Sequence, residues 1–227
     1  EGDVGQFSAV SARISAAGDP LYAAVRYAVA ANIIDYGTQR PFDALHALRT
    51  CLDQPLALDD YGRFRAAVNR SAGVNVLYLA DNCGEIVFDG LLGEQLQAIG
   101  CQVTMAVRGE AILNDATLPD AKACGLATRW PVIGNGTGCP GTPLAACSDE
   151  FRQAFARAEV IVSKGQGNYE TLSAAACPIF FLLTVKCPVV ARRITMEQGL
   201  DPARITGRGE MILMQRKVEN AAAADSR

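Results

Sequence analysis

The stretch that decides the fold is Val74-Asn-Val-Leu-Tyr-Leu-Ala-Asp81-Asn82-Cys83-Gly84-Glu85. Residues 74–80 are almost continuously apolar and rich in β-formers. A strand with one wet face alternates apolar and polar residues. An unbroken run belongs instead to a strand covered on both faces. Polar and acidic residues follow at once. The segment therefore predicts a buried strand that carries an acidic site to the edge of an α/β sheet.

Downstream the same logic repeats. A helix is predicted over 85–99, closed by Gly100, and then a strand over 102–107. A short helix covers 119–124, and another starts after the cap residue Ser148. Strands are predicted over 159–163 and 178–185, with a helix over 168–175 between them. The tail at 208–218 is a further strand candidate. Upstream, Asp19 caps a helix that opens with Pro20 and runs to about Tyr36. Two more helices are expected over 42–51 and 59–70, whereas residues 1–19 carry no strong pattern. Strands alternating with helices imply a largely parallel sheet. The expected fold class is α/β: a three-layer α/β/α, Rossmann-like sheet over 73–227 with an N-terminal helical subdomain over 1–72.

The chain has 227 residues, 50% apolar and 20% charged, enough for one large core without disulfide or metal staples. Net charge is −3 and no basic block occurs, so no nucleic-acid partner is expected. No apolar run is long enough to span a membrane, so no membrane partner is expected either. No signal-peptide pattern opens the sequence, and the eight cysteines include no C-x-x-C pair. Reduced thiols and a cytoplasmic location follow as expectations. The chain starts at Glu1 rather than Met, so a missing N-terminal stretch is expected. Nothing in the sequence speaks to oligomeric state.

Ligands of an open parallel sheet bind beyond the carboxyl ends of its strands. Asp81, Asn82 and Glu85 follow the first strand; Arg108, Gly109, Asn114 and Asp115 follow the second. Lys164-Gly-Gln-Gly-Asn168 follows the third, and Lys186 and Cys187 follow the fourth. Asp81, Asn82 and Asp115 offer hard oxygens that suit Mg²⁺ or Mn²⁺. Lys164 and Lys186 offer positive charge for a phosphate, and the N–H groups from Gly165 to Gly167 offer an anion cradle. The competing structural reading is that Asp81-Asn82 forms a turn and caps the next helix. Residues 134–142, rich in Gly, read as a loop that either approaches a ligand or is simply flexible.

Familiar phosphate chemistries fail on inspection. An aspartyl-nucleophile phosphatase needs an acid where Cys83 stands. No G-x-x-x-x-G-K-S/T run exists, and Gly165-Gln-Gly167 is a lone G-x-G. Cys83 and Cys187 read as small packing residues. His46 is the only histidine, which excludes a Ser-His-Asp triad, and it reads as structural.

Several blocks together resemble one family. Asp81-Asn82-Cys83-Gly84-Glu85-Ile-Val-Phe-Asp89 is similar to the signature of the damage-control phosphatase family, also called acidic-residue-methyltransferase-like and once catalogued as a domain of unknown function. Val107-Arg108-Gly109 through Asn114-Asp115-Ala-Thr resembles a second block, and Ser163-Lys164-Gly165-Gln-Gly-Asn168-Tyr-Glu a third. Leu182-Leu-Thr-Val-Lys186-Cys187 and Asn32-Ile-Ile-Asp35-Tyr-Gly37 resemble two more. The resemblance, of the prokaryotic type, runs from about Asp19 to the tail. It departs at Glu110 and Ala111, where relatives carry other residues, and it lacks the N-terminal C-x-x-C helix.

The resemblance implies a phosphatase acting on small phosphorylated metabolites, with a divalent cation (Mn²⁺, Ni²⁺, Co²⁺ or Mg²⁺) held by Asp81, Asn82 and Asp115. It implies that Lys164 contacts substrate phosphate and that Glu85 and Asn168 line the site. In the corresponding mechanism a metal-held water attacks the phosphoryl group, and Glu85 or Asp115 orients it. Two other readings remain open. One is an S-adenosylmethionine-dependent carboxyl methyltransferase, against which stands the lack of a Gly-rich turn after the first strand. The other is a module that binds metal and phosphometabolites without turnover.

Overall fold

The computed structural model describes residues 2–32 and 52–216. The expected helix over 42–51, the end of the helix near Tyr36, and His46 lie outside the described residues. Seven strands form one sheet in the order β1-β7-β6-β5-β2-β3-β4. They are β1 (Leu58–Asp59), β2 (Asn75–Leu79), β3 (Gln102–Val107), β4 (Val132–Gly134), β5 (Val160–Lys164), β6 (Ile179–Val185) and β7 (Glu210–Gln215). From β6 to β4 every pairing is parallel. β7 runs antiparallel to β6, and β1 pairs with β7. The helices are α1 (Gly2–Ser15), α2 (Pro20–Ala31), α3 (Tyr61–Val68), α4 (Ile86–Ala98), α5 (Leu118–Ala123), α6 (Asp149–Arg157), α7 (Gln166–Leu172) and α8 (Pro188–Gln198).

The three layers follow from the two-residue period of a strand. Val76, Tyr78 and Ala80 of the β2 segment, with Phe180 and Leu182 of β6, pack on one face. That face is covered by α1 through Val10 and Ile14, by α2, by α3 through Phe64 and Val68, and by α4. Leu77, Leu79, Phe181, Leu183 and Val185 point the other way, toward Phe151 of α6, Tyr169 and Leu172 of α7, and Ile194 of α8. Because both faces are covered, β5 and β6 are buried along their whole length, as an apolar run demands.

Local signals set the ends. Asp19 caps α2 by accepting from Tyr22 N at 3.2 Å, with Pro20 in the first turn. Ser148 caps α6 by accepting from Phe151 N. The N-terminal helices share one core with the sheet, and the segment before residue 72 also supplies β1. Among the described residues no helix is long and apolar enough to cross a membrane.

Candidate functional site

The site begins where β2 ends. The turn after β2 is clipped to the loop after β3 by backbone hydrogen bonds. Ala116 N donates to Asp81 O at 2.7 Å, and Cys83 N to Asn114 O at 2.8 Å. Asn82 and Asp115 thereby form an isolated antiparallel bridge. Two segments separated by a whole helix and strand now lie side by side. The β3 loop needs a sharp reversal to arrive there. Leu113 takes it at φ 50°, the one non-glycine with positive φ among the described residues, and is 88% exposed.

Charge gathers at this junction. The Arg108 guanidinium donates from Nε to Asp115 Oδ2 and lies 3.7 Å from Asp81 Oδ1 through Nη2. Its Nη1 reaches Thr142 Oγ1 at 3.0 Å and Asn168 Oδ1 at 3.1 Å. Arg108 is 3% exposed, and its Nη2 makes no hydrogen bond. Behind Asp81, Lys164 Nζ donates to Glu85 Oε2 at 2.6 Å and to Asp89 Oδ1 at 2.7 Å, and Tyr78 OH also donates to Asp89 at 2.7 Å. Lys164, Glu85 and Asp89 are all fully buried.

Four carboxylates (Asp81, Glu85, Asp89, Asp115) therefore face two cations (Arg108, Lys164). Burial, then the charges of Glu85 and Asp115, push the Asp81 carboxyl up to about 7, although Arg108 and Lys164 oppose this. Burial also lifts Asp89 to about 6 against the pull of Lys164. Burial alone would lower Lys164, but its two carboxylate partners outweigh that and raise it.

Asn32, at the end of α2, joins the cluster from the far side. Its Nδ2 donates to Glu85 Oε1 at 2.9 Å and to Asp81 Oδ2 at 3.2 Å, while its Oδ1 accepts from Thr184 N at 3.1 Å. Lys186 Nζ donates to the Asn32 carbonyl at 2.8 Å. Asn168 is fully buried, donating to Ala80 O and Lys164 O and accepting from Thr142 Oγ1 at 2.7 Å.

Two glycines permit this packing. Gly165 sits at φ 76° and ψ 165°, a region nearly closed to other residues, and an added Cβ would lie 1.9 Å from Asp81 Oδ2. A Cβ on Gly141 (φ 75°) would lie 2.3 Å from Gly167 O, so the Gly-rich loop is pressed onto the start of α7.

The structure thus brings Asp81, Asn82, Asp115, Arg108, Glu85, Lys164 and Asn168 together. It does so with differences from the sequence expectation. Lys164 is the last residue of β5, not a loop residue, and its ammonium turns inward to two carboxylates. The Gly165 N–H donates to Leu182 O in the sheet, so it adds nothing to an anion cradle. Lys186 is held at Asn32. Cys83 is half-buried against the apolar core, and Cys187 stands at the N-cap position of α8 without a side-chain capping hydrogen bond. Asn32, Asp89 and Thr142 were not singled out in the sequence as site residues. Asn32 and Asp89 do fall inside family-like blocks, which was the available signal.

Among the described residues no three His, Cys, Asp or Glu side chains form a ready metal cluster. The donor set is instead two carboxylates and an amide, all hard oxygen donors, in a centre where carboxylates outnumber cations. That chemistry fits a small divalent cation.

A largely parallel sheet covered on both faces, with buried carboxylates and two cations gathered at its strand ends, defines an α/β protein with a charged centre at the strand ends. The chain belongs to the family described as the damage-control phosphatase ARMT1-like domain, whose model matches residues 4–201. It is 41% identical over 179 residues to a protein named damage-control phosphatase from Pyrococcus horikoshii, covering 78% of this chain and 62% of that protein. It is 37% identical over 187 residues to one of the same name from Archaeoglobus fulgidus, covering 80% and 64%. A crystal structure described as a DUF89 family protein from Pyrococcus horikoshii superposes with a TM-score of 0.74 at 37% identity, covering 86% of this chain and 65% of that one. The chain thus spans somewhat under two thirds of the length of these relatives.

Proposed function

We propose that this protein hydrolyses phosphate monoesters of small metabolites, using a divalent cation held by Asp81, Asn82 and Asp115. The observation that supports the reading is the Asn82–Asp115 backbone bridge, which brings the turn bearing Asp81 and Asn82 beside Asp115, with Arg108 near both carboxylates. The family and the names of its archaeal relatives support it.

When bound, such a cation supplies Lewis-acid polarisation of a phosphoryl oxygen. The chain's own residues do the rest. Arg108 is anchored by Asp115, Thr142 and Asn168, and its buried Nη2, which faces Asp81 Oδ1 at 3.7 Å without a hydrogen bond, is the donor we assign to an anionic substrate oxygen. Of the two carboxylates expected to orient water, Asp115 is the better placed, with its side chain 10% exposed. Glu85 is fully buried, and both its oxygens already accept hydrogen bonds. Lys164 serves as the counter-ion that fixes Glu85 rather than as a phosphate ligand.

The test is phosphate release from a panel of phosphosugars and phosphorylated cofactors, with each of Mn²⁺, Ni²⁺, Co²⁺ and Mg²⁺ and with chelator. Release that needs metal supports the reading. Metal and phosphate binding with no turnover on any substrate selects the non-catalytic module, and chelator-insensitive binding of S-adenosylmethionine selects the methyltransferase.

A further inference from the structure

Asn32 is 2% exposed, and every polar atom of its side chain is engaged. The Thr184 N–H needs an acceptor, which fixes the oxygen end of the amide. Both hydrogens of Nδ2 then point at carboxylates, one at Glu85 Oε1 and one at Asp81 Oδ2. The Asn32 carbonyl, at the negative end of α2, accepts from Lys186. Asn32 is thus held at its side chain from β6 and at its backbone carbonyl from the turn that follows.

The same Asp81 oxygen is walled on a second side. A Cβ on Gly165 would lie 1.9 Å from Oδ2 but 2.8 Å from Oδ1. Oδ2 is thereby enclosed between the Asn32 amide and the Gly165 backbone. Among the described residues Oδ1 has an ion-pair neighbour in Arg108 Nη2, at 3.7 Å, and that nitrogen forms no hydrogen bond.

We propose that Asn32 is a positioning residue that withholds Asp81 Oδ2 and presents Oδ1 alone to the cation. This rests on the reading of Asp81 as a metal ligand. A carboxylate limited to one oxygen suits small cations that demand octahedral geometry, Mg²⁺ and Mn²⁺. Ca²⁺ is larger and accommodates bidentate carboxylates and higher coordination. Asn32 therefore contributes to cation selectivity although it comes from a helix remote in sequence. It acts as outer partners of metal ligands generally do, by fixing which lone pairs are offered.

Calorimetric titration of Mn²⁺ and Ca²⁺ into the wild type, Asn32→Ala and Tyr61→Phe tests this. Tyr61 OH donates to Asp19, the cap of α2, at 2.8 Å, so Tyr61→Phe loosens the docking of that helix without touching Asp81. Asn32→Ala should weaken Mn²⁺ binding by about 10- to 100-fold and narrow the preference over Ca²⁺. Tyr61→Phe should leave both unchanged. Equal Mn²⁺ affinity in wild type and Asn32→Ala, or equal losses in both variants, overturns the proposal. A wild type that binds no Mn²⁺ overturns the metal reading itself and the proposal with it. Should Asn32→Ala fail to fold, a crystal structure of the wild type with Mn²⁺ decides. Coordination through Oδ1 with Asn32 still on Oδ2 upholds the proposal, and bidentate Asp81 overturns it.

Discussion

Lys164 Nζ lies 2.6 Å from Glu85 Oε2, and neither side chain touches solvent. A buried pair of this kind adds little net stability, because desolvation offsets the attraction. Removing one partner is a different matter, since the other is left as an unpaired buried charge. Lys164→Met should cost about 3–5 kcal/mol in denaturant unfolding. A cost under about 1 kcal/mol would mean that Glu85 and Asp89 find other partners or take up protons.

Gly165 is tested by Gly165→Ala. The backbone angles alone carry a cost of about 1–3 kcal/mol. The new Cβ also meets Asp81 Oδ2, so Asp81 must move. Turnover should fall by about a hundredfold if placement of Asp81 matters to chemistry. A stable, fully active variant would show that Asp81 has room to spare.

Arg108 balances Asp81 and Asp115. Arg108→Met should lower thermal stability markedly, because Thr142 and Asn168 lose a donor and two carboxylates lose their cation. Mn²⁺ should restore part of that loss by binding the native state, whereas Na⁺ at equal ionic strength should not. Identical responses to the two salts in a thermal scan would argue against a divalent site beside Arg108.

Much of this arrangement was legible in the sequence. The strands β2, β3, β5 and β6 were readable because each is an apolar run bounded by polar turns, and their ends shift by only a residue or two. β1 and β4 were not readable. They contain two and three residues and exist only because β7 and β3 offer hydrogen-bonding edges. In α1, Val10 and Ile14 fall four apart on one face, but the surrounding Ser, Ala and Gly mask the period. α8 went unread in the sequence, although Pro188 at its start and Gly199, left-handed at its end, were signals for it.

The site divides the same way. The strand-end rule named Asp81, Asn82, Asp115 and Arg108, which the fold brings together, because it concerns backbone topology. It says nothing of where a side chain turns, so it placed Lys164 in the crevice when the ammonium in fact lies behind Glu85. Asn32 arrives from a helix end 49 residues before Asp81, a relation fixed only by tertiary packing.

Glu210 offers a pH test away from the site. Burial alone would raise its carboxyl. Hydrogen bonds from the Thr206 hydroxyl and from the N–H groups of Thr206, Gly207 and Arg208 reverse this and take it down to about 2. A depressed folded-state value contributes stability above the unfolded value, about 4.3 for Glu, and loses it as pH falls toward 2. Glu210→Gln should therefore be less stable than wild type at pH 7, with the gap closing between about pH 5 and pH 2. A gap independent of pH would assign the effect to shape rather than charge.

The most direct test of the central claim is phosphate release by the wild type, Asp81→Ala and Asp115→Ala at saturating Mn²⁺ on the best substrate of the metabolite panel. The account predicts metal-dependent release by the wild type and loss of nearly all of it in both variants, with native circular dichroism retained. Undiminished release by either variant would contradict it, because that residue would then have no part in the metal centre.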